Sequence, residues 1–254
     1  MAKPAITALV TGGAKRIGRA IVEDLAAHGF AVAIHGHSSS GEASELAAQI
    51  SERGGKAAVF DTDLTNPVQA GELFDKVQQA LGPVQLLVNN ASLFENDSVL
   101  DFDWQLWDDH FSIHLKTPVL LSRKMAESLP ESEEGLVVNI IDQRVWRLSP
   151  RYFSYTLSKS ALWTATRTMA QALAPRVRVN AIGPGPTLRN ARQEEADFRQ
   201  QVDALLLGRG PELAEFGATI RYLWEARSVT GQMIALDGGQ HLAWQTPDIA
   251  DVVE

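Results

Sequence analysis

Cysteine is absent from the 254 residues, which excludes disulfides, a thiolate nucleophile and zinc sites built on sulfur. Redox chemistry in such a chain needs a borrowed cofactor. Long apolar runs are missing too, none approaching the roughly 18 residues of a membrane span, so no membrane partner is expected. Basic charge is in deficit, with 23 Lys and Arg against 31 Asp and Glu and a formal charge of −8. A surface of that balance repels polyanions, so no nucleic-acid partner is expected. Local basic residues can still bind one small anion. The start, Met1 to Ala8, has no apolar stretch with a small-residue cleavage site, so a cytoplasmic location is the expectation.

What is present is an ordinary globular composition, 45% hydrophobic and 21% charged, large enough for a full core. Short β-branched runs recur at Ile6 to Val10, Ala31 to His35, Ala57 to Phe60, Gln85 to Val88, Leu136 to Ile141, Val177 to Ala181 and Met233 to Leu236. Between them, Arg16 to His28, Ser44 to Arg53, Val68 to Leu81, Trp104 to Leu129 and Phe153 to Leu173 carry apolar residues three or four apart. The alternation predicts an α/β fold, one doubly wound Rossmann domain over 1–254 with a mainly parallel seven-stranded sheet. The stretch from Pro186 to Gly210, polar early on and following a strand, is expected to be mobile and to close over a ligand. With the tail from His241 to Glu254 it would shape the pocket.

The first strand runs into Thr11-Gly12-Gly13-Ala14-Lys15-Arg16-Ile17-Gly18. Glycines there let the backbone approach a pyrophosphate, whose charge suits the amides of a helix N-terminus. About 20 residues on, where an NAD site places a carboxylate, this chain has His35-Gly36-His37-Ser38-Ser39-Ser40. With Lys15 and Arg16 across the turn, the place suits a ribose 2′-phosphate and so NADP(H).

Tyr155 and Lys159 lie four apart and share a helix face. A nearby ammonium, with an oxidised nicotinamide, favours a phenolate, so the pair is expected to bring the phenol's pKa down toward working pH. Asp142 donates only when protonated, a state that burial favours. Phe94, by residue type alone, is more often a core side chain than a platform for a flat heterocycle. His110 and His114 are also four apart, but with no third ligand in the pattern no metal is expected.

Taken together, these stretches resemble the short-chain dehydrogenase/reductase family over nearly the whole chain. Asp63 and Leu64 resemble its adenine-contact segment, Asn89-Asn90-Ala91-Ser92 its Asn-Asn-Ala-Gly motif, Tyr155 to Lys159 its Tyr-x-x-x-Lys, and Pro184-Gly185, with Thr187 just beyond, its segment after the sixth strand. The resemblance implies cofactor contacts at all these places and a homotetramer. Three departures, Arg16 for a glycine, Asp142 for the serine thirteen residues before Tyr155, and His114 for an asparagine, are similar to pteridine reductases and bacterial dihydromonapterin reductases. In that subgroup Phe94 would stack on a pterin, and His114 would serve a proton relay behind Lys159 through water. The implied activity is NADPH-dependent reduction of a pterin or dihydropterin, with Asp142, Tyr155, Lys159 and His114 catalytic. A ketone reductase acting on a sugar, acyl or quinone substrate and a catalytically silent NADP-binding regulator are the alternatives.

Overall fold

The computed structural model describes residues 5–190 and 192–246. The expectations placed on the first four residues, on Ala191 within the substrate stretch and on the tail beyond Thr246 lie outside the described residues. Seven strands, β1 (Thr7–Val10), β2 (Ala31–Gly36), β3 (Lys56–Asp61), β4 (Val84–Asn89), β5 (Gly135–Ile140), β6 (Val177–Pro184) and β7 (Met233–Leu236), form one sheet in the order β3-β2-β1-β4-β5-β6-β7. Every pairing is parallel, one step beyond the mainly parallel sheet expected. Helices α1 (Arg16–Ala27), α2 (Ser40–Glu52), α3 (Pro67–Leu81), α4 (Trp104–Phe111), α5 (Thr117–Ser128), α6 (Phe153–Leu173), α7 (Glu195–Asp203) and α8 (Leu213–Glu225) make the crossovers.

Strands covered on both sides must be apolar on both faces, and side-chain alternation divides them between two cores. Val32 and Ile34 of β2, Leu86 and Val88 of β4, and Leu136 and Val138 of β5 pack with Ile21 and Leu25 of α1 and with Phe216 and Ile220 of α8. Ala33, Leu87 and Val137, one residue out of phase, pack with Leu73 and Phe74 of α3 and with Leu121 and Met125 of α5. Each of the larger of these fully buried side chains, Val, Leu, Ile, Phe or Met, contributes on the order of 1.5–3 kcal/mol. The strand order reverses at β1, whose neighbours are β2 and β4. The loops after β1 and β4 therefore diverge and leave a crevice at the carboxyl ends of the strands.

Three elements differ from the periodicity. The single helix expected from Trp104 to Leu129 is broken by a π-helical turn, Ser112–Lys116, between α4 and α5. Pro118 sits in the first turn of α5, where its ring would crowd the carbonyl of His114 in an unbroken α-helix; the wider turn relieves this. The stretch from Pro186 to Gly210 contains α7, which has no buried residue and so no apolar stripe to announce it. Helix α8, absent from the periodic segments above, is closed at its start by a reciprocal capping box of Glu212 and Glu215. Among the described residues no helix is long and apolar enough to cross a membrane.

Helix α8 lies against α1 at Gly217, where an added Cβ would collide with the Asp24 side chain that binds Arg221. Gly217→Ala is expected to destabilise the protein by about 1–3 kcal/mol through overpacking. Gly41, on α2, has open space at the same position, and Gly41→Ala should leave stability unchanged or raise it by up to about 1 kcal/mol. Urea denaturation of both variants checks this; equal midpoints would remove the tight α1–α8 contact from the account.

Candidate active site

The turn after β1 is tied to the loop after β4. Thr11 Oγ1 accepts the amides of Asn90 and Ala91 at 2.9 and 3.0 Å, and Asn90 Nδ2 donates to the carbonyls of Thr11 and Gly12 at 2.8 and 2.9 Å. Gly12 has φ +60°, and a Cβ there would stand 2.9 Å from Ala91 Cα, so the backbone needs glycine. At Gly18 a Cβ would run into the Gly12 carbonyl. Ile17, partly buried, packs on the core beneath the turn. His35, not singled out from sequence, accepts the Gly12 amide on Nδ1 at 3.0 Å and faces the Thr62 carbonyl with Nε2 at 2.9 Å. Those partners fix its neutral Nε2–H form, and burial lowers its pKa in the same sense.

Helix α1 begins without a side-chain cap and without an acid in its first turn. Its leading amides and a turn admitting no Cβ at Gly12 or Gly18 fit a dinucleotide pyrophosphate. The basic residues are arranged otherwise than expected. Arg16, at φ +53°, turns its guanidinium to the Leu188 and Arg189 carbonyls, 3.0 Å from each. Lys15 pairs with Glu42 at 2.6 Å, and His37 faces Asp61 at 3.7 Å. Two carboxylates thus approach the ribose end from α2 and β3 although none follows β2 in sequence. Ser38 and Ser39 lie in the loop between β2 and α2, and the Ser39 side chain makes no capping bond to α2.

At the adenine end, Asp63 accepts the amide and hydroxyl of Thr65 at 2.9 and 2.7 Å, bonds that lower its pKa. Leu64 is buried in the core beneath α3 and α5, which leaves its backbone and not its side chain for an adenine. On the other side, Gly185 passes so close to Asp237 that a Cβ would lie 2.6 Å from the Asp237 Cα. Pro184 ends β6, and the Thr187 hydroxyl donates to the Gly185 carbonyl at 3.1 Å.

Asp142 follows β5, and α6 carries Tyr155 and Lys159 up to it. The Tyr155 hydroxyl donates to Asp142 Oδ2 at 3.0 Å, the Arg144 amide donates to Asp142 Oδ1 at 2.8 Å, and Lys159 Nζ donates to the Ile140 carbonyl at 2.8 Å. Nζ also stands 5.7 Å from the centre of the Tyr155 ring. Although 18% of the Asp142 side chain is exposed, burial raises its pKa against the pull of Arg144, Tyr155 and Lys159. Burial, then the Asp142 charge, hold the Tyr155 phenol well above its usual value. Burial also lowers Lys159 to about 8, with Asp142 opposing. Arg144 and a hydrogen bond from Ser92 pull the Tyr155 phenol the other way without prevailing.

His114 and Phe94 both adjoin this centre, each with its ring against Tyr155. His114 faces Ser92 Oγ at 2.9 Å and Ser158 Oγ at 2.9 Å, and its Nε2 accepts the Leu93 amide at 3.2 Å. None of these bonds goes to Lys159. One face of Phe94 is stacked on Tyr152, at 4.2 Å and 10°, and the ring meets Tyr155 edge-on at 4.8 Å. The Arg144 guanidinium lies 5.0 Å over Tyr152. Arg192 donates to the Phe94 carbonyl and pairs with Glu95, so the stretch after β6 is fastened across the crevice. Tyr152, with φ +57° before α6, and Arg144 went unremarked in the sequence, since neither belongs to a spaced motif. Among the described residues, no group of three or more His, Asp or Glu side chains is placed to hold a metal ion.

Residues 6–200 match the sequence pattern of the family described as short chain dehydrogenase. A short-chain type dehydrogenase/reductase of Picea abies is 30% identical over 247 residues, covering 92% of this chain and 91% of that protein. L-xylulose reductase of Bos taurus is 32% identical, covering 91% and 95%. Among solved structures, the FolM alternative dihydrofolate reductase 1 of Brucella canis, complexed with NADP, is 62% identical with a TM-score of 0.94 over 96% of this chain and 97% of that one. By pattern, by curated relatives and by fold, the chain belongs to the short-chain dehydrogenase family.

Proposed function

We propose that this protein is an NADPH-dependent reductase of a pterin or dihydropterin. The observation that carries the reading is the 3.0 Å bond between Tyr155 and Asp142, a carboxyl where a ketone reductase needs only a hydroxyl donor. The FolM structures of Brucella canis and Brucella suis, named as dihydrofolate reductases and complexed with NADP at 62% identity, support both cofactor and substrate class. The turn from Thr11 to Gly18, the segment His37 to Ser39, the backbone of Asp63 and Leu64, Asn90 to Ser92, and Pro184, Gly185 and Thr187 would hold the cofactor. NADPH, when bound, supplies the hydride.

The chain's own residues manage the proton and the orientation. Tyr155 holds its proton at neutral pH because burial and Asp142 raise its pKa, as a donor in reduction must. Asp142, raised by burial, has access to the protonated form, in which it donates to the heterocycle or back to Tyr155 and frees the phenol proton for a ring nitrogen. The Lys159 ammonium offsets the charge that develops on the phenol oxygen. Phe94 presents the face turned from Tyr152, and a flat ring lies against it. We extend the proposal to a single-domain homotetramer in the cytoplasm, with the stretch 186–210 covering the substrate.

Oxidation of NADPH against a panel of dihydromonapterin, dihydrobiopterin, dihydrofolate and simple ketones tests the reading. Turnover of the dihydropterins, with NADH a poor substitute, is expected; ketone turnover without pterin turnover would overturn it. Tyr155→Phe and Asp142→Ser should each lower pterin kcat by a factor on the order of 10² to 10⁴, the contribution typical of general acid catalysis, with cofactor binding nearly intact in Tyr155→Phe. A parent-like pterin rate in Asp142→Ser would remove the carboxyl from the mechanism.

The pH dependence follows from Lys159. Its ammonium, with pKa lowered to about 8, is present below that pH and lost above it, while Tyr155 stays protonated well beyond. The pterin kcat/KM should therefore fall as pH rises through about 8. A profile flat to well above that point would detach the lysine charge from the rate.

A further inference from the structure

Two rungs of hydrogen bonds join α4 and the π-turn to α6, and the Tyr155 ring stands beside both. His110 Nδ1 lies 2.7 Å from Ser154 Oγ, and His114 Nδ1 lies 2.9 Å from Ser158 Oγ. The histidines are four apart on one element and the serines four apart on the other, so the rungs repeat at the spacing that puts residues on one helix face. The imidazoles stack at 5.5 Å and 17°, and Tyr155 meets them edge-on at 6.0 and 5.2 Å. All five side chains are buried.

The proton directions are determined. Ser158 gives its one hydroxyl proton to the Tyr155 carbonyl at 2.7 Å, so it accepts from His114 Nδ1–H. Ser154 gives its proton to Asp97 Oδ2, so it accepts from His110 Nδ1–H. Neutral rings satisfy both rungs. Burial lowers both imidazole pKa values, with Lys159 acting in the same sense; Asp97, Glu95 and Asp109 oppose it at His110 without prevailing.

Asp97 extends the clamp to the end of the helix. Tyr152, the residue that would cap α6, makes no side-chain capping bond. Asp97 takes that place from a distant segment, accepting the Ser154 amide at 3.1 and 3.2 Å on its carboxylate and the Phe153 amide at 3.3 Å on its carbonyl. Because Asp97 is three residues beyond Phe94, the same bonds set the start of α6 relative to the aromatic ring that meets Tyr155 at 4.8 Å.

We propose that Asp97 and His110, acting through Ser154, are positioning residues that hold the Tyr155 hydroxyl in line for proton transfer, the His114–Ser158 rung bracing the same face one turn further along. This rests on the reading of Tyr155 as proton donor. Neither Asp97 nor His110 touches the reacting atoms; their effect is on where the phenol points.

His110→Phe keeps an aromatic ring and loses the rung, while His110→Asn returns an N–H near the place of Nδ1. The first should lower pterin kcat roughly tenfold, within the penalty of a misplacement below 1 Å, with KM for NADPH and pterin nearly unchanged and a larger solvent isotope effect on kcat. His110→Asn should recover most of the rate. Parent-like kcat in His110→Phe, or no recovery in His110→Asn, would overturn the proposal. Protein labelled with 3-fluorotyrosine gives a readout independent of turnover, because Tyr155→Phe identifies one of only three tyrosine signals. His110→Phe should shift or broaden that signal and leave Tyr222 unmoved. An unmoved Tyr155 signal sinks the clamp whatever the substrate, whereas a moved signal in a protein that reduces no pterin upholds the clamp and removes the pterin reading. Should His110→Phe not fold, Asp97→Asn carries the same expectations.

Discussion

The site depends on one desolvated hydrogen bond, from the Tyr155 hydroxyl to the Asp142 carboxylate. Water would keep the carboxyl ionised, the phenol near pH 10 and the lysine above it. Burial moves all three at once: both acids are raised and Lys159 is lowered to about 8. Asp142 and Lys159 are thereby drawn toward the working range, while Tyr155 is held protonated, as a general acid must be before it donates. A serine in place of Asp142 would remove the carboxylate that raises Tyr155 and supports the ammonium of Lys159.

The sheet supplies the rigid frame for this bond. Asp142 leaves the carboxyl end of β5, Lys159 is tied back to the carbonyl of Ile140, and α6 spans the gap between them without glycine or proline in its 21 residues. On the nucleotide side, Thr11 and Asn90 lock together the loops that diverge at the strand-order reversal. Arg16 and Arg192 then reach across from opposite directions, one to the carbonyls of Leu188 and Arg189 and the other to Phe94 and Glu95. The left-handed backbone of Arg16 costs on the order of 1–3 kcal/mol, and its two charged hydrogen bonds are of the size that offsets such a cost.

Periodicity made the strands legible because a strand buried on both faces is a compact β-branched run, and all seven were placed from such runs. The glycine turn and the Tyr155–Lys159 pair were legible because their chemistry has a fixed spacing. What escaped has no such spacing. The break at Ser112–Lys116 preserves an apolar pattern on both sides, and α7 has no buried face. The Glu42 and Asp61 carboxylates that meet Lys15 and His37 come from neighbouring elements, so reading along β2 finds no acid. The burial and the Asp142 charge that raise Tyr155 leave no mark on the Tyr155–Lys159 spacing. His110 drew notice only as a possible metal ligand, since its partner Ser154 lies 44 residues away.

The most direct test is the titration of Asp142 itself, followed by NMR of protein labelled with ¹³C at the aspartate carboxyls and assigned with Asp142→Asn. The account predicts a midpoint displaced upward from the ordinary value of 3.8 by burial, and not lowered in Tyr155→Phe, because the phenol's hydrogen bond favours the carboxylate and its loss can only raise the midpoint further. A raised midpoint that persists in Tyr155→Phe is the expected result, since burial is the leading influence. A midpoint at or below the ordinary value would contradict the claim that desolvation sets the proton chemistry of this site.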